Sequence, residues 1–280
     1  MPANYARLTI CLLLCVLLGS LMACDLVPAV KVNGGTPVVA SSPNAVPGSS
    51  TPVLNTWSSI APGIEVRAEH WTSPGDTDDT VTIVRLDMRR MHLSIGYQPQ
   101  PITLSQWMSQ TQARVVINGG YFDAHYHPTG LLVTNGNAYG TSYQGFGGML
   151  SVNSQGKINL RSLNSQPYEP DNEALQQVIQ SSPMLMDHGQ RTQFNANAAG
   201  DRRSVVAVDK SGHLLLIASP GQAFSLDELA DLLASSDLSI QTALNLDGGA
   251  STGLYAGANA KDQQVAIDPL TPVPIVILIR

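Results

Sequence analysis

The chain has 280 residues, of which 43% are hydrophobic and 13% charged, with 15 Lys and Arg against 21 Asp and Glu. A formal net charge of −6 argues against a nucleic-acid partner, because binding to a phosphate backbone draws on an excess of positive charge. The length is sufficient for one sizeable domain and additional short segments.

The N-terminus has three consecutive zones. Arg7 is its only charged side chain, an apolar run extends over residues 8–18, and small or apolar residues precede Cys24. This order predicts a signal peptide over residues 1–23 that ends in a lipobox, with Cys24 as the lipidation site. An apolar run this short does not fit a membrane span, which needs about 20 residues. A plainly secreted protein is the alternative. We therefore predict an exported protein that is lipid-anchored to the cell membrane or envelope, with its domain outside the cytoplasm.

The segment after Cys24 is rich in Pro, Ser, Gly, Val and Ala and is almost free of charge up to residue 62. Such a composition buries too little apolar surface to fold alone, so residues 24–62 are interpreted as the lipidated cysteine and a flexible tether. The folded domain is expected over residues 63–280.

Two patterns in this domain predict strands. Residues 64–68, 81–83 and 91–97 alternate between apolar and polar, as half-buried strands do. Short continuous apolar runs predict central strands buried on both faces. These runs cover residues 114–117, 204–208, 214–218, 242–246 and 275–279.

Three segments predict helices. Ser225 with Glu228 forms a capping box ahead of a helix that extends to about Ala234, and Thr103 with Gln106 forms a second. A short third helix is expected after Asn172. Helices that interrupt strands without regular alternation favour an α+β fold, with a mixed β-sheet core and a few flanking helices in a single domain.

Candidate functional residues lie where three apolar strands meet polar residues and glycines. In the first segment Gly119 and Gly120 allow close backbone approach to a ligand, and Asn118 and Asp123 supply hydrogen-bonding and acid-base groups. A hairpin turn is the simpler interpretation.

In the second segment Arg203 stands beside Arg202 at the entrance of a strand, where a guanidinium group could bind two phosphate oxygens. Two solvated surface arginines are the alternative. In the third, Asn245 and Asp247 are followed by Gly248 and Gly249, whose amides could form an anion-binding nest. An Asp-Gly hairpin is again the alternative.

Taken in order, these segments resemble the phosphodiester glycosidase domain family, which includes the lysosomal uncovering enzyme and many bacterial exopolysaccharide-associated proteins. The resemblance extends from about residue 80 to the C-terminus. It rests on Asn118-Gly119-Gly120-Tyr121-Phe122, Pro128-Thr129-Gly130, Pro183-Met184-Leu185, Arg203-Ser204 and Asn245 through Thr252.

The resemblance implies a hydrolase that cleaves the glycosidic bond of sugar-1-phosphodiesters in envelope or extracellular glycans. Asp247 or Asp123 would act as nucleophile or base, and Asn118 and Asn245 would orient hydroxyl groups. Substrate and phosphate binding would fall to Arg203, Gly119, Gly120, Gly248, Gly249, Ser251 and Thr252. Retaining and inverting chemistry both stay open at this point.

No cofactor is predicted, although a divalent cation stays possible, and no metal site is assigned. The expected partners are a glycan or sugar-phosphate substrate and the membrane. A different class of function is also open, that of a non-catalytic lipoprotein that binds envelope glycans or phosphoglycans.

Overall fold

The structure is a computed structural model that describes residues 54–195 and 199–280. Within these residues, three β-sheets share one apolar core, and two helices cover outer faces of the sheets. The predicted signal peptide, Cys24 and most of the predicted tether lie outside the described residues.

The largest sheet has eight strands, and its central strands β14, β13 and β15 are the apolar runs predicted at 214–218, 204–208 and 242–246. In spatial order it contains β1 (Ser58–Ala61), β2 (Ile64–Thr72), β3 (Asp78–Leu86), β14 (Leu214–Phe224), β13 (Asp201–Asp209), β15 (Ile240–Asn245), β11 (Met184–Asp187) and β12 (Gln190–Arg191).

A second sheet has five strands, of which β5 is central and carries Asn118 as its last residue. Its spatial order is β17 (Asp262–Ile267), β16 (Leu254–Asn259), β5 (Val115–Asn118), β18 (Val273–Ile279) and β4 (Leu93–Ile102).

A third five-stranded sheet contains the short strands that the sequence patterns did not predict. Its spatial order is β7 (Asn137–Tyr139), β6 (Leu132–Thr134), β10 (Leu175–Ser181), β8 (Gly148–Asn153) and β9 (Ile158–Ser162).

All three sheets contribute to the shared core. Leu216 from the large sheet, Ile117 and Ile277 from the second, and Leu150 and Ile179 from the third are buried in one cluster. Burial of such apolar surface is the main favourable term in folding. The core therefore fixes how the ends of strands from different sheets meet.

Both capping boxes are present. Helix α1 (Leu104–Thr111) starts after Thr103 and packs Trp107 and Met108 on the outer face of the second sheet. Helix α2 (Leu226–Ser235) starts after Ser225 and packs Leu229 and Leu233 on the outer face of the large sheet.

The predicted third helix is wrong, because residues 175–181 form strand β10. Its side chains Gln177 and Gln180 are buried and accept hydrogen bonds from the backbone amides of Ile95 and Leu131. A buried polar side chain must find such partners. Both faces of β10 are therefore covered, and its pattern does not show strand alternation.

The fold is strongly dominated by strands, which make up 50% of it against 9% for the two helices. The expected mixed sheet is not seen, since the pairs between described strands are antiparallel. Strand β1 also lies within the segment predicted as tether. It pairs with β2, and Trp57 before it packs on the guanidinium groups of Arg67 and Arg85, so the folded part begins before residue 63.

No helix in residues 54–195 or 199–280 is both long and apolar enough to cross a bilayer.

Candidate active site

The first and third sequence motifs meet where β5 and β15 end. The Asn118 side chain donates from Nδ2 to the carbonyl oxygen of Asp247 at 2.7 Å, and the Asp247 amide donates to the Gly119 carbonyl at 3.0 Å. A hairpin turn at Gly119-Gly120 or at Asp247-Gly248 is wrong, because β5 pairs with β16 and β18, and β15 pairs with β13 and β11. The chain of the first motif turns back only after Phe122, which forms an antiparallel bridge with Pro128.

Asn118 is the junction between these strand ends. Only 1% of it is exposed, and its Oδ1 accepts hydrogen bonds from Ser204 Oγ at 2.6 Å and from the Gly253 amide at 3.2 Å. Together with the bond to Asp247, these contacts use both ends of the carboxamide. Asn118 therefore positions the loop of Asp247, whereas we had expected it to orient substrate hydroxyls.

Asp247 is a partly buried carboxyl. Burial raises its pKa above the usual 3.8, and the negative charge of Asp201 acts in the same direction. Hydrogen bonds from Ser251 and from the Gly248 amide, the latter at 2.9 Å, partly oppose this rise. A carboxyl whose pKa is raised in this way is typical of acid-base and nucleophilic sites.

Tyr121 lies beside Asp247, although sequence reasoning gave it no role. Its hydroxyl donates to the Ser182 carbonyl at 3.0 Å and accepts from Asn245 Nδ2 at 2.7 Å. Burial and the negative charge of Asp247 raise the pKa of Tyr121 to about 12, while Arg203 opposes the rise. Tyr121, Asp247 and Arg203 therefore share one electrostatic environment.

Asn245 is the second buried amide of the site. Its Nδ2 also donates to the carbonyls of Ser182 and Leu246, at 3.0 and 2.8 Å, whereas its buried Oδ1 has no partner. Thr252 Oγ1, close along the chain, is likewise buried without a partner. Unpaired buried acceptors and hydroxyls are costly, and they often mark a place where water or a ligand binds.

The two arginines point in different directions from neighbouring positions of β13. The Arg203 guanidinium binds the carbonyls of Phe224 and Ala199, at 2.9 and 3.1 Å, and turns Nη1 toward Gly248. Burial lowers the pKa of Arg203, but a guanidinium group stays charged in proteins.

Arg202 is buried and binds the carbonyls of Pro220 and Asp268, at 2.9 and 2.8 Å. Neither arginine is exposed, so the alternative of a solvated surface pair is wrong. Arg203 faces the site, and Arg202 connects the large sheet to the segment that follows β17.

The predicted glycines allow close packing at the strand ends. A Cβ on Gly119 would lie 2.4 Å from Ile275 Cγ2, and one on Gly120 would lie 3.0 Å from the Gln180 carbonyl oxygen. Gly249 has a φ of 56°, in the left-handed region that favours glycine. The Gly248 amide donates to the Asp247 carboxylate. In the structure this amide, predicted to bind a substrate anion, therefore binds a carboxylate of the protein itself.

Asp123 turns away from this network. It is exposed, and its Oδ1 accepts from the amides of His125 and His127 at 2.8 and 2.9 Å. These bonds within its own loop lower its pKa. Asp123 therefore acts as a turn-stabilising residue in the structure.

Asp201 is a carboxylate at the site that the sequence analysis did not select. An added Cβ on Gly249 would stand 3.1 Å from Asp201 Oδ2, and the charge of Asp201 affects both Asp247 and Arg203. Its position at the start of β13 beside Arg203 was the available signal. Ser204, which binds Asn118, belongs to the Arg203-Ser204 motif but was given no role. Ser182, which binds Tyr121, gave no signal, since it acts only through contacts distant in sequence.

A search for metal-binding clusters of three or more His, Cys, Asp or Glu side chains finds none within residues 54–195 and 199–280.

A family model described as phosphodiester glycosidase matches residues 111–280. The chain belongs to the phosphodiester glycosidase family. The matched region contains all three motifs, and it confirms the resemblance found in the sequence.

Among curated proteins, the uncharacterized protein YigE of Escherichia coli strain K12 is 29% identical over 151 residues. The match covers 50% of this chain and 57% of that protein, so the aligned part spans little more than half the length of this relative.

Two solved structures have a similar fold. One is the catalytic domain of zebrafish N-acetylglucosamine-1-phosphodiester alpha-N-acetylglucosaminidase, auto-inhibited by its pro-peptide. It is 19% identical with a TM-score of 0.59, covering 83% of this chain and 85% of that one. The other is a hypothetical protein from Synechocystis, 17% identical with a TM-score of 0.56, covering 78% and 62%. At these identities the likeness shows the fold alone.

Proposed function

We propose that this protein is an extracytoplasmic hydrolase that cleaves the glycosidic bond of sugar-1-phosphodiesters in envelope or extracellular glycans. The observation that carries the proposal is the partly buried Asp247 carboxyl, which lies where the two family motifs meet and in the same electrostatic environment as Tyr121 and Arg203. Family membership supports the reaction class.

The chemistry of the substrate fits this arrangement. A phosphodiester departs from the sugar as a stable anion, so the reaction needs little protonation of the leaving group. It does need a cation near the phosphate and a carboxylate near the sugar carbon that becomes oxocarbenium-like. Arg203 supplies the first, and Asp247, as nucleophile or base, supplies the second.

Asp201 is our candidate for a second carboxylate, in place of Asp123. It lies beside Gly249 on the Asp247 side, whereas the Asp123 carboxylate is used by the amides of its own loop. Glycosidases of both stereochemical classes generally use two carboxyl groups. Tyr121 and Asn245 complete the polar lining.

The proposed location rests on the N-terminal residues. The apolar run and the residues before Cys24 support export and lipid anchoring. The substrate would then be a glycan or sugar phosphate of the envelope.

The test is hydrolysis of a defined substrate by the full chain in detergent. The name of the zebrafish protein suggests the methyl diester of N-acetylglucosamine 1-phosphate as a first substrate. We expect free N-acetylglucosamine and methyl phosphate as products, with no turnover by Asp247→Asn.

Oxygen labelling identifies the bond that breaks. In ¹⁸O-water, cleavage at the sugar carbon leaves the methyl phosphate unlabelled, whereas attack at phosphorus labels it. Release of sugar 1-phosphate or labelled methyl phosphate would contradict the proposal. Binding of the diester without turnover would favour the non-catalytic phosphoglycan-binding lipoprotein.

A further inference from the structure

Exposed aromatic side chains are concentrated in one segment of the described chain. Five large hydrophobic residues are exposed, and three of them, Tyr126, Tyr139 and Phe146, lie between β5 and β8. The other two, Leu54 and Leu270, lie elsewhere in the sequence. Exposed aromatic groups beside a polar site are typical of ligand contact.

Phe146 forms a stacked pair with Tyr143. The ring centroids are 4.8 Å apart and the ring planes differ by 17°, while 50% of Phe146 stays exposed. Phe146 is flanked by Gly145 and Gly147, with φ angles of 69° and 71°, in the left-handed region that favours glycine. The turn on each side of Phe146 therefore requires glycine, and it leaves one side of the stacked pair open to solvent.

This pair borders the candidate active site. The Tyr143 hydroxyl lies 3.3 Å from Thr129 Oγ1, and the Thr129 amide donates to the Tyr121 carbonyl at 3.0 Å. On the other side, Gly147 packs on the Ser181 carbonyl so closely that a Cβ there would be only 2.4 Å away. The next residue, Ser182, accepts the Tyr121 hydroxyl.

We propose that Tyr143 and Phe146 form a subsite for a pyranose ring on the leaving-group side of the phosphodiester. The apolar C–H face of a pyranose is flat and packs on the open face of an aromatic ring. The subsite thereby selects a sugar, rather than a small alcohol, as the group esterified to the phosphate. This inference rests on the proposed function.

The difference in solvent exposure between Asp247 and Phe146 indicates that the aromatic pair contacts the leaving group. The sugar that reacts must reach Asp247, which is less exposed than Phe146. Phe146 is half exposed, so it suits the part of the substrate that extends from the phosphate toward solvent.

The experiment compares two diesters of N-acetylglucosamine 1-phosphate that carry either a methyl group or the 6-oxygen of glucose. We expect Phe146→Ala in the full chain to raise the KM for the glucosyl diester about tenfold more than that for the methyl diester, a size typical of a lost aromatic stacking contact. Phe146→Leu should behave like Phe146→Ala, since it is apolar but not flat, and Phe146→Trp should keep the preference.

Leu54→Ala is the matched control, since Leu54 is 49% exposed and lies outside the aromatic segment. It should leave the ratio of the two KM values unchanged. Equal effects of Phe146→Ala on both diesters, or no effect, would overturn the subsite while leaving the proposed function intact.

Absence of turnover with either diester in the wild type would instead overturn the proposed function. The subsite is then decided by titration calorimetry with the same two diesters. A preference for the glucosyl diester that Phe146→Ala abolishes supports it, and the absence of any such preference overturns it.

Discussion

At the scale of single residues, Asp247 lies where the two motifs meet, in an environment that disfavours the ionised form of its carboxyl. Its raised pKa means that the folded protein holds the proton of this carboxyl more strongly than the unfolded chain does. The stability linked to this carboxyl is fully present below the usual pKa of 3.8 and is lost as the pH rises through the raised value. A residue kept at such a cost is expected to serve the reaction.

We predict that Asp247→Asn reduces turnover by about 10²–10⁴-fold, the contribution usual for an acid-base group. The same variant should unfold at a temperature equal to or above that of the wild type at pH 7, because it removes a buried charge. The difference should shrink toward pH 3. Activity assays and thermal unfolding on one preparation check both parts, and near-normal turnover in a folded variant would contradict the assignment.

The neighbouring arginines provide a matched pair of variants. Arg203→Lys should lower turnover by roughly 10²-fold, because Lys cannot reproduce the planar fork beside Gly248. It should reduce the free energy of unfolding less than Arg202→Lys does, because the bonds of Arg203 to the Phe224 and Ala199 carbonyls lie at a less buried position.

For Arg202→Lys we expect the opposite result. Loss of its buried bonds to Pro220 and Asp268 should reduce the free energy of unfolding by about 1–3 kcal/mol, with turnover per folded molecule retained. Denaturant titration and kinetics on both variants distinguish the phosphate-binding role of Arg203 from the structural role of Arg202. Equal loss of turnover in the two variants would contradict this assignment.

At the scale of elements, the joined ends of β5 and β15 depend on Asn118. We expect Asn118→Ala to destabilise the fold by about 3 kcal/mol, since three buried hydrogen bonds are lost at roughly 1 kcal/mol each. Ser204→Ala removes only one of them and should cost about 1 kcal/mol. Urea titration measures both losses in the free energy of unfolding. Equal losses would mean that Asn118 does not join the ends of β5 and β15.

The sequence predicted the elements whose signals are local. Capping boxes located both helices, and continuous apolar runs located β5, β13, β14, β15 and β18. The strands of the third sheet are short, and many of their residues are polar or exposed. In β10 the buried Gln177 and Gln180 hide the alternation, because their role is to bind amides far away in the chain.

The candidate site shows the same difference between residues with a local sequence signal and residues whose role depends on distant contacts. Strand ends followed by Asn, Asp, Arg and Gly were visible in the sequence, and the structure brings Asn118, Arg203, Asn245 and Asp247 together. Tyr121 and Asp201 were not selected, because their importance arises from neighbours more than 40 residues away. Asp123 was selected on residue type alone, although it binds its own loop.

At the scale of the whole molecule, the proposed lipidation at Cys24 would determine where the domain is located. We predict that the wild type partitions with membranes, whereas Cys24→Ser gives an unprocessed or soluble protein. Fractionation and the mass of the N-terminal fragment provide the measurement. Equal membrane association of both forms, with residues 1–23 retained, would instead make this segment an anchor.

The junction at Asn118 joins residues that are far apart in the sequence. Ser204, Asp247 and Gly253 lie 86, 129 and 135 positions away from it. Contacts of such long range form slowly, because the intervening chain must be ordered before they are made. A ribosome that has reached residue 246 has already made Asn118 and Arg203 but has yet to add the carboxyl between them. During synthesis the proposed active site therefore stays incomplete until Asp247 has been added.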